Sequence, residues 1–131
     1  MSNVTKMPNT KTISIGGLEL QCRLSGKSIL NIEKRLNESI MGLFIKGEGE
    51  MKLPPSNKLL IVLHETNTKS GIKERDVIEA FYKHIENGKS TMDIFEQVNE
   101  LLEESGFFGS SDDKENDETS LDEEPTEDSI L

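Results

Sequence analysis

Residues 12–24 have the sequence TISIGGLELQCRL, in which apolar and polar side chains alternate on both sides of a Gly-Gly pair. Ile13 and Ile15 point to one face before the pair. After it, alternate residues from Leu18 to Leu24 share a face and Glu19, Gln21 and Arg23 take the opposite one. Alternation with a period of two around Gly-Gly predicts a β-hairpin. A single hairpin is marginally stable, so its apolar face must pack on helices or on another subunit.

The period changes after Leu24. Apolar residues then recur at steps of three and four, at Ile29, Ile32, Leu36, Ile40 and Phe44. This spacing is typical of one stripe of an amphipathic helix, which we expect over residues 27–44. Ser25 can cap its first turn, because a serine hydroxyl accepts from a free backbone N–H there.

The run Leu59 to Leu63 is apolar at every position, so its length alone allows either a buried strand or a buried helix. Pro54, Pro55 and Ser56 precede it, and prolines begin a helix more readily than they continue a sheet. We therefore expect a helix over about 55–67 that is buried nearly all round.

Two further helical stripes follow. The first contains Val77, Ile78, Phe81, Tyr82 and Ile85 and ends at Asn87-Gly88, with His84 on the polar side. The second contains Ile94, Phe95, Val98, Leu101 and Leu102 and ends at Ser105-Gly106. The predicted fold class is α+β and mainly helical, with an N-terminal β-hairpin, about four helices and an acidic tail.

The charge of the chain is concentrated at one end. The 131 residues carry a net charge of -10, but residues 107–131 contain ten acids and one base, whereas residues 1–106 are close to neutral. A stretch this acidic and poor in apolar residues cannot offset its ordering entropy. We expect a flexible N-terminus over 1–11, one domain over 12–108 and a disordered acidic tail over 109–131.

Composition argues against several classes of function. The negative field repels nucleic acid, so we expect no nucleic-acid binding. No apolar stretch approaches the ~20 residues of a transmembrane helix, so we expect no membrane partner. One cysteine, Cys22, excludes an internal disulfide and fits a reducing compartment.

Residues that could carry chemistry are few. Gly26-Lys27-Ser28 and Gly88-Lys89-Ser90 resemble the end of a phosphate-binding loop, but Gln21 and Lys83 stand where its first glycine is needed. Cys22 lies on the apolar face, and His64 and His84 have no metal-ligand spacing. We therefore expect no enzyme, no cofactor and no metal site.

Few aromatic residues and a short chain predict a thin core, and hence self-association or a partner. Phe107 and Phe108 follow the last helix directly and either plug the core or anchor a partner. The partner-binding candidates are the aromatic residues of the helical region, Phe81, Tyr82, Phe95, Phe107 and Phe108.

Three sequence segments resemble those of a known family. Residues 53–64 (LPPSNKLLIVLH), 70–73 (SGIK) and 103–109 (EESGFFG), with the hairpin opening at residues 13–17, are similar to tail assembly chaperones of long-tailed bacteriophages and prophages of Gram-positive bacteria. The resemblance covers roughly residues 12–109.

The resemblance implies a protein that coats the tape measure protein until tail tube protein polymerises around it. It implies assembly into rings or spirals, a place in the cytoplasm of the bacterial host, and absence from the mature virion. It also implies that a longer product can arise by frameshifting. The alternative from the residues alone is a small acidic inhibitor or adaptor that mimics nucleic acid and acts on a basic partner.

Overall fold

The hairpin predicted from residues 12–24 is present in the computed structural model, which describes residues 10–109. Strands β1 (Thr10–Ile15) and β2 (Leu18–Arg23) pair antiparallel, with Ile13 opposite Leu20 and Ile15 opposite Leu18. The strand begins two residues earlier than expected. The face predicted to be apolar is the buried one, with Ile13, Ile15, Leu20 and Cys22 inside.

The single helix expected over residues 27–44 is wrong, because the chain forms two helices there. Helix α1 is Gly26–Leu36 and helix α2 is Ile40–Phe44. Asn37 ends α1 in the left-handed region at φ 58°, which asparagine tolerates better than most residues. The Glu33 carboxylate then accepts from the Ile40 N–H at 2.9 Å, and Ser39 caps α2. The stripe remains buried across the break, since both helices turn the same face to the core.

The apolar run at Leu59 to Leu63 lies in a helix, α3 (Ser56–Thr66), so the choice of helix over strand is confirmed. The expectation that it is buried nearly all round is wrong. Leu59, Val62 and Leu63 are fully buried, whereas Leu60 and Ile61 remain partly exposed. The domain has too few elements to surround this helix on every side.

Helices α4 (Glu74–Glu86) and α5 (Thr91–Glu104) are the last two helices of the described residues and lie near the predicted bounds. The predicted polar position of His84 is wrong, because this side chain is only 1% exposed. The buried side of α4 consists of Val77, Ala80 and His84, at steps of three and four residues. The helix is therefore rotated relative to the predicted stripe.

Helix α3 occupies the middle of the domain and packs against α1, α4, α5 and β2, while β1 lies on α4 and α5. The two edges of the hairpin are held by polar side chains. The Gln97 side-chain amide exchanges two hydrogen bonds with the backbone of Ser14, at 3.1 and 3.0 Å. On the other edge, the Thr68 hydroxyl donates to the Gln21 carbonyl at 2.8 Å.

The fold class is confirmed: an antiparallel hairpin followed by helices, α+β and mainly helical. The flexible ends expected at 1–11 and 109–131 fall, apart from residues 10, 11 and 109, outside the described residues. Within residues 10–109, no helix combines the length and apolarity that a membrane crossing requires.

Cys22 provides a test of the packing around the hairpin. Burial raises the pKa of its thiol from 9.0 to about 11, and a hydrogen bond with Thr66 offsets part of the rise. An unfolded thiol ionises first, so this contribution to stability is complete below pH 9 and is lost as the pH rises through 11. Denaturation between these values should show a loss of about 2–3 kcal/mol in the free energy of unfolding.

The matched variant for this test is Cys22→Ala, which lacks the thiol. Its pH slope should be shallower than that of the native chain between pH 9 and 11. Equal slopes in both proteins would show that the thiol is not desolvated.

Candidate functional site

Helices α3 and α4 pack against each other and leave an apolar groove between them. Arg35 of α1 ties the end of α3 to the start of α4, with Nη1 3.0 Å from Glu65 Oε2 and Nη2 3.1 Å from Glu74 Oε1. These ion pairs raise the pKa of Arg35, chiefly through the hydrogen bond with Glu65. The guanidinium therefore stays charged and holds the two helices at one spacing.

The groove, called here the α3–α4 groove, has a volume of about 210 Å³. Its lining consists of four apolar and two polar residues: Asn57, Leu60, Ile61, Glu74, Val77 and Ile78. Pockets that hold small organic ligands are larger, about 300–1,000 Å³. A groove of this size suits a few apolar side chains from another polypeptide.

An exposed stripe on α4 extends the groove. Ile78, Phe81, Tyr82 and Ile85 follow one another at i, i+3, i+4 and i+7, the spacing of one helical face. Ile78 and Phe81 are partly buried, whereas Tyr82 is 60% exposed and Ile85 is also exposed. We call these four residues the α4 stripe. The sequence pattern that predicted the core side of α4 thus marks a surface.

Two contacts set the rotation of α4. The Gly16 turn of the hairpin lies directly on the backbone of Ala80. One turn further along, His84 Nε2 lies 2.9 Å from the Ser90 carbonyl oxygen. A carbonyl only accepts, so Nε2 carries the proton. Together these contacts bring Ala80 and His84 inward, and Tyr82 consequently points to solvent.

The five aromatic candidates do not form one site. Phe81 and Tyr82 lie on the α4 stripe. Phe95 of α5 stacks on the core residue Phe44, with ring centroids 6.0 Å apart and an interplanar angle of 25°. Phe107 and Phe108 contact each other edge to face at 5.4 Å beyond the end of α5. Only Phe81 and Tyr82 of this set are therefore placed beside the groove.

Phe107 and Phe108 are both partly buried against the core. Gly106 turns the chain at φ 79°, and the Phe107 N–H donates to the Leu102 carbonyl at 3.0 Å, which folds both rings back on α5. This geometry favours the plug over the anchor.

We expect the double substitution Phe107→Ala and Phe108→Ala to lower the free energy of unfolding by about 3–5 kcal/mol in total. Full burial would cost about that much for each ring, and these rings are only partly buried. Urea denaturation measures the loss. A double variant that unfolds like the native chain would reject the plug and return both rings to the list of partner anchors.

His84 also lines a polar pocket of about 300 Å³ beside the Gly16-Gly17 turn. Its Nε2 is 3.4 Å from the Asp93 carboxylate, and its Nδ1 has no hydrogen-bond partner among residues 10–109. Both Nε2 contacts join the end of α4 to the start of α5. We therefore interpret His84 as a buried link between two helices.

The two phosphate-loop triplets are explained by local structure. Ser25 and Ser28 cap each other at the start of α1, and Gly88 turns the chain after α4 at φ 86°. Within the described part of the chain, no group of three or more His, Cys, Asp or Glu residues is arranged to hold a metal ion.

Leu60, Ile61 and Ile78 are site residues that the sequence did not single out. Leu60 and Ile61 belong to a run that is apolar on every side, so periodicity could not separate their exposed side from the core. One feature of the sequence did point to this surface. The apolar stripe on α4 has more apolar residues than are needed to pack one side of the helix against the core, so some of them had to remain exposed.

Comparison with known proteins gives one match. The model of a family of unknown function (DUF6096) matches residues 6–130. Searches among curated proteins and among solved structures found no match.

Proposed function

We propose that this chain, which belongs to the family of unknown function DUF6096, is a tail assembly chaperone that binds the tape measure protein of a long-tailed bacteriophage or prophage. The resemblance of residues 53–64, 70–73 and 103–109 suggests this function. The α3–α4 groove is the observation that carries the proposal, because it is a surface suited to helix binding.

The chemistry of the groove fits an amphipathic helix. A helix that docks between two others inserts apolar side chains spaced by three and four residues and leaves its polar side in water. Leu60, Ile61 and Ile78 supply apolar walls, and Asn57 and Glu74 supply polar groups beside them. Tyr82 and Ile85 extend the contact along α4.

The small size of the groove predicts weak binding at each site. Six residues line it, whereas a stable interface uses about 20–30 residues on each side. Weak single sites suit a chaperone that must be displaced, provided that many copies bind one long partner. The proposal therefore includes self-association of the chain along the tape measure protein.

The remaining parts of the proposal follow from the same role. The protein acts in the cytoplasm of the bacterial host, leaves before the virion is complete, and performs no catalysis. Tail tube protein is the second partner, since its polymerisation around the tape measure protein would displace the chaperone.

Co-expression tests the proposal. A tape measure protein from the same phage or prophage should remain in the supernatant when it is co-expressed with the full chain, and should sediment without it. Affinity capture of the tagged chain should recover it at moderate and at high salt. A tape measure protein that is equally insoluble with and without the chain would contradict the proposal.

One observation favours the alternative of an acidic inhibitor that mimics nucleic acid. Helix α5 has no base, and its acids recur along one side: Asp93, Glu96, Glu100, Glu103 and Glu104. Nucleic-acid mimics carry such charge on a folded surface. Capture of a basic DNA-binding protein in a complex that dissociates at high salt would support this second candidate.

A further inference from the structure

The charge of the described domain is unevenly distributed. Helix α1 contains Lys27, Lys34 and Arg35 with Glu33 as its single acid, whereas α5 contains five acids and no base. Helix α3 lies between them and packs against both. Arg35 is paired with Glu65 and Glu74, and Lys11 of β1 is paired with Glu100 and Glu104 of α5. The charges without an ion pair within residues 10–109 therefore include Lys27 and Lys34 on α1 and Glu96 and Glu103 on α5.

The two lysines of α1 flank an apolar side chain. Lys27, Leu30 and Lys34 follow at steps of three and four residues and therefore share one side of α1. Leu30 is 58% exposed, one of the most exposed large apolar side chains of the described domain. Lys27 and Lys34 are exposed and have no ion pair within residues 10–109. We call these three residues the α1 face.

The segment of this chain that complements the α1 face lies in its C-terminal region. Residues 117–124 read DETSLDEE, in which Leu121 stands between five acids. Leu121 with its flanking acids is complementary in charge to Leu30 with its flanking lysines, and the two leucines can pack against each other. We propose that residues 117–124 dock on the α1 face of the same molecule, with Leu121 against Leu30 and the flanking carboxylates near Lys27 and Lys34.

Chain length permits this contact. Eleven residues, 110–120, separate Gly109 from Leu121, and the twelve Cα–Cα steps of a fully extended chain reach about 40 Å. Lys11 of β1 pairs with Glu104 at the end of α5, and Thr10 lies opposite Arg23, three residues before α1 begins. The end of α5 therefore lies near the start of α1, and Lys27 is within reach of the segment. The acids of α5 repel the segment, and the lysines of α1 attract it.

The docking would cover the basic surface against other polyanions. Exposed ion pairs contribute about 0–1 kcal/mol each, so the segment would add little to the stability of the fold. This inference is independent of the proposed function, since it uses neither the α3–α4 groove nor the α4 stripe.

Paramagnetic broadening in the full-length chain tests the proposal. A nitroxide is attached to Ser120→Cys, while Cys22 stays unlabelled because it is buried. Backbone amides of residues 26–36 should lose most of their signal at low salt and recover it in high salt, where the Debye length falls to about 3 Å at 1 M.

Two charge-reversal variants, both checked for native circular dichroism, make the test specific. Lys27→Glu with Lys34→Glu should abolish the broadening of α1. Lys83→Glu with Lys89→Glu makes the same change in charge elsewhere and should leave it intact. Broadening of α1 that survives the first pair, or that is centred on the α3–α4 groove instead, would overturn the proposal.

A mixed sample distinguishes docking within one molecule from docking between two molecules. Isotope-labelled chain without nitroxide is combined with unlabelled chain that carries it. Docking within one molecule leaves the labelled amides sharp. Strong broadening of α1 in the mixture would place the segment of a second copy there and would overturn the intramolecular contact.

Discussion

Replacement of Gly16 by alanine should lower the free energy of unfolding by about 2–5 kcal/mol. A Cβ at this position would lie 1.9 Å from the backbone oxygen of Ala80 in α4. Because that oxygen belongs to a helix, relief requires the hairpin to move away from α4. Gly16 also has a φ of 54°, a region in which a side chain is strained. Since a domain of this size has about 5–15 kcal/mol of stability in all, the loss is a large part of it.

Gly17→Ala is the matched control. Gly17 has a φ of 84°, but a Cβ there meets nothing within 4 Å. The Gly17→Ala substitution should therefore lower the free energy of unfolding only by the backbone strain, about 1–2 kcal/mol. Thermal unfolding measures both variants, at about 4–8 °C per kcal/mol for a domain of this length. Equal losses in the two variants would show that the turn does not press on α4.

Ile78→Lys should weaken binding of the tape measure protein at least about 30-fold, the effect of losing one hot-spot residue of about 2 kcal/mol. Ile78 belongs to both the α3–α4 groove and the α4 stripe, so a lysine there would put a charge where an apolar side chain must enter. The free energy of unfolding of the Ile78→Lys variant should change little. Position 78 is partly exposed, and the aliphatic stem of lysine can cover the apolar surface around it.

Met41→Lys is the control for this binding experiment. Met41 lies on α2, is 42% exposed and does not line the groove, and the substitution adds the same charge. Titration of a soluble tape measure segment compares the two variants with the native chain. If both bind like the native chain, the groove is not the binding site. If both variants lose binding equally, the loss is a general effect of the added charge and does not locate the binding site in the groove.

The errors in the sequence interpretation have one physical source. The stripe Ile29 to Phe44 predicted one helix because its spacing is continuous, yet Asn37 and Ser39 end one helix and begin another. The residues of the stripe face the core on both sides of the break. The pattern therefore predicted which side chains are buried but not that the helix is interrupted. Hydrophobic spacing reports which residues face the core, and it reports less about the backbone between them.

Helix α4 shows the same limit at the candidate site. Two apolar stripes overlap on it, and the sequence alone could not tell which one faces inward. The decision came from Gly16 against Ala80 and from His84 against the Ser90 carbonyl, contacts between residues distant in sequence or across a turn. The aromatic candidates consequently separate in the structure, since Tyr82 is exposed whereas Phe95 stacks on Phe44.

The sequence by itself determined the hairpin, the helical nature of the rest, the side of each strand that is buried and the concentration of acid near the C-terminus. These features depend on local spacing and composition, which any one segment carries within itself. Tertiary structure alone decided the break between α1 and α2, the rotation of α4 and the existence of the α3–α4 groove. Each of these depends on how segments from different parts of the chain pack together. For the surface of α4, the deciding contacts are Gly16 on Ala80 and His84 on the Ser90 carbonyl.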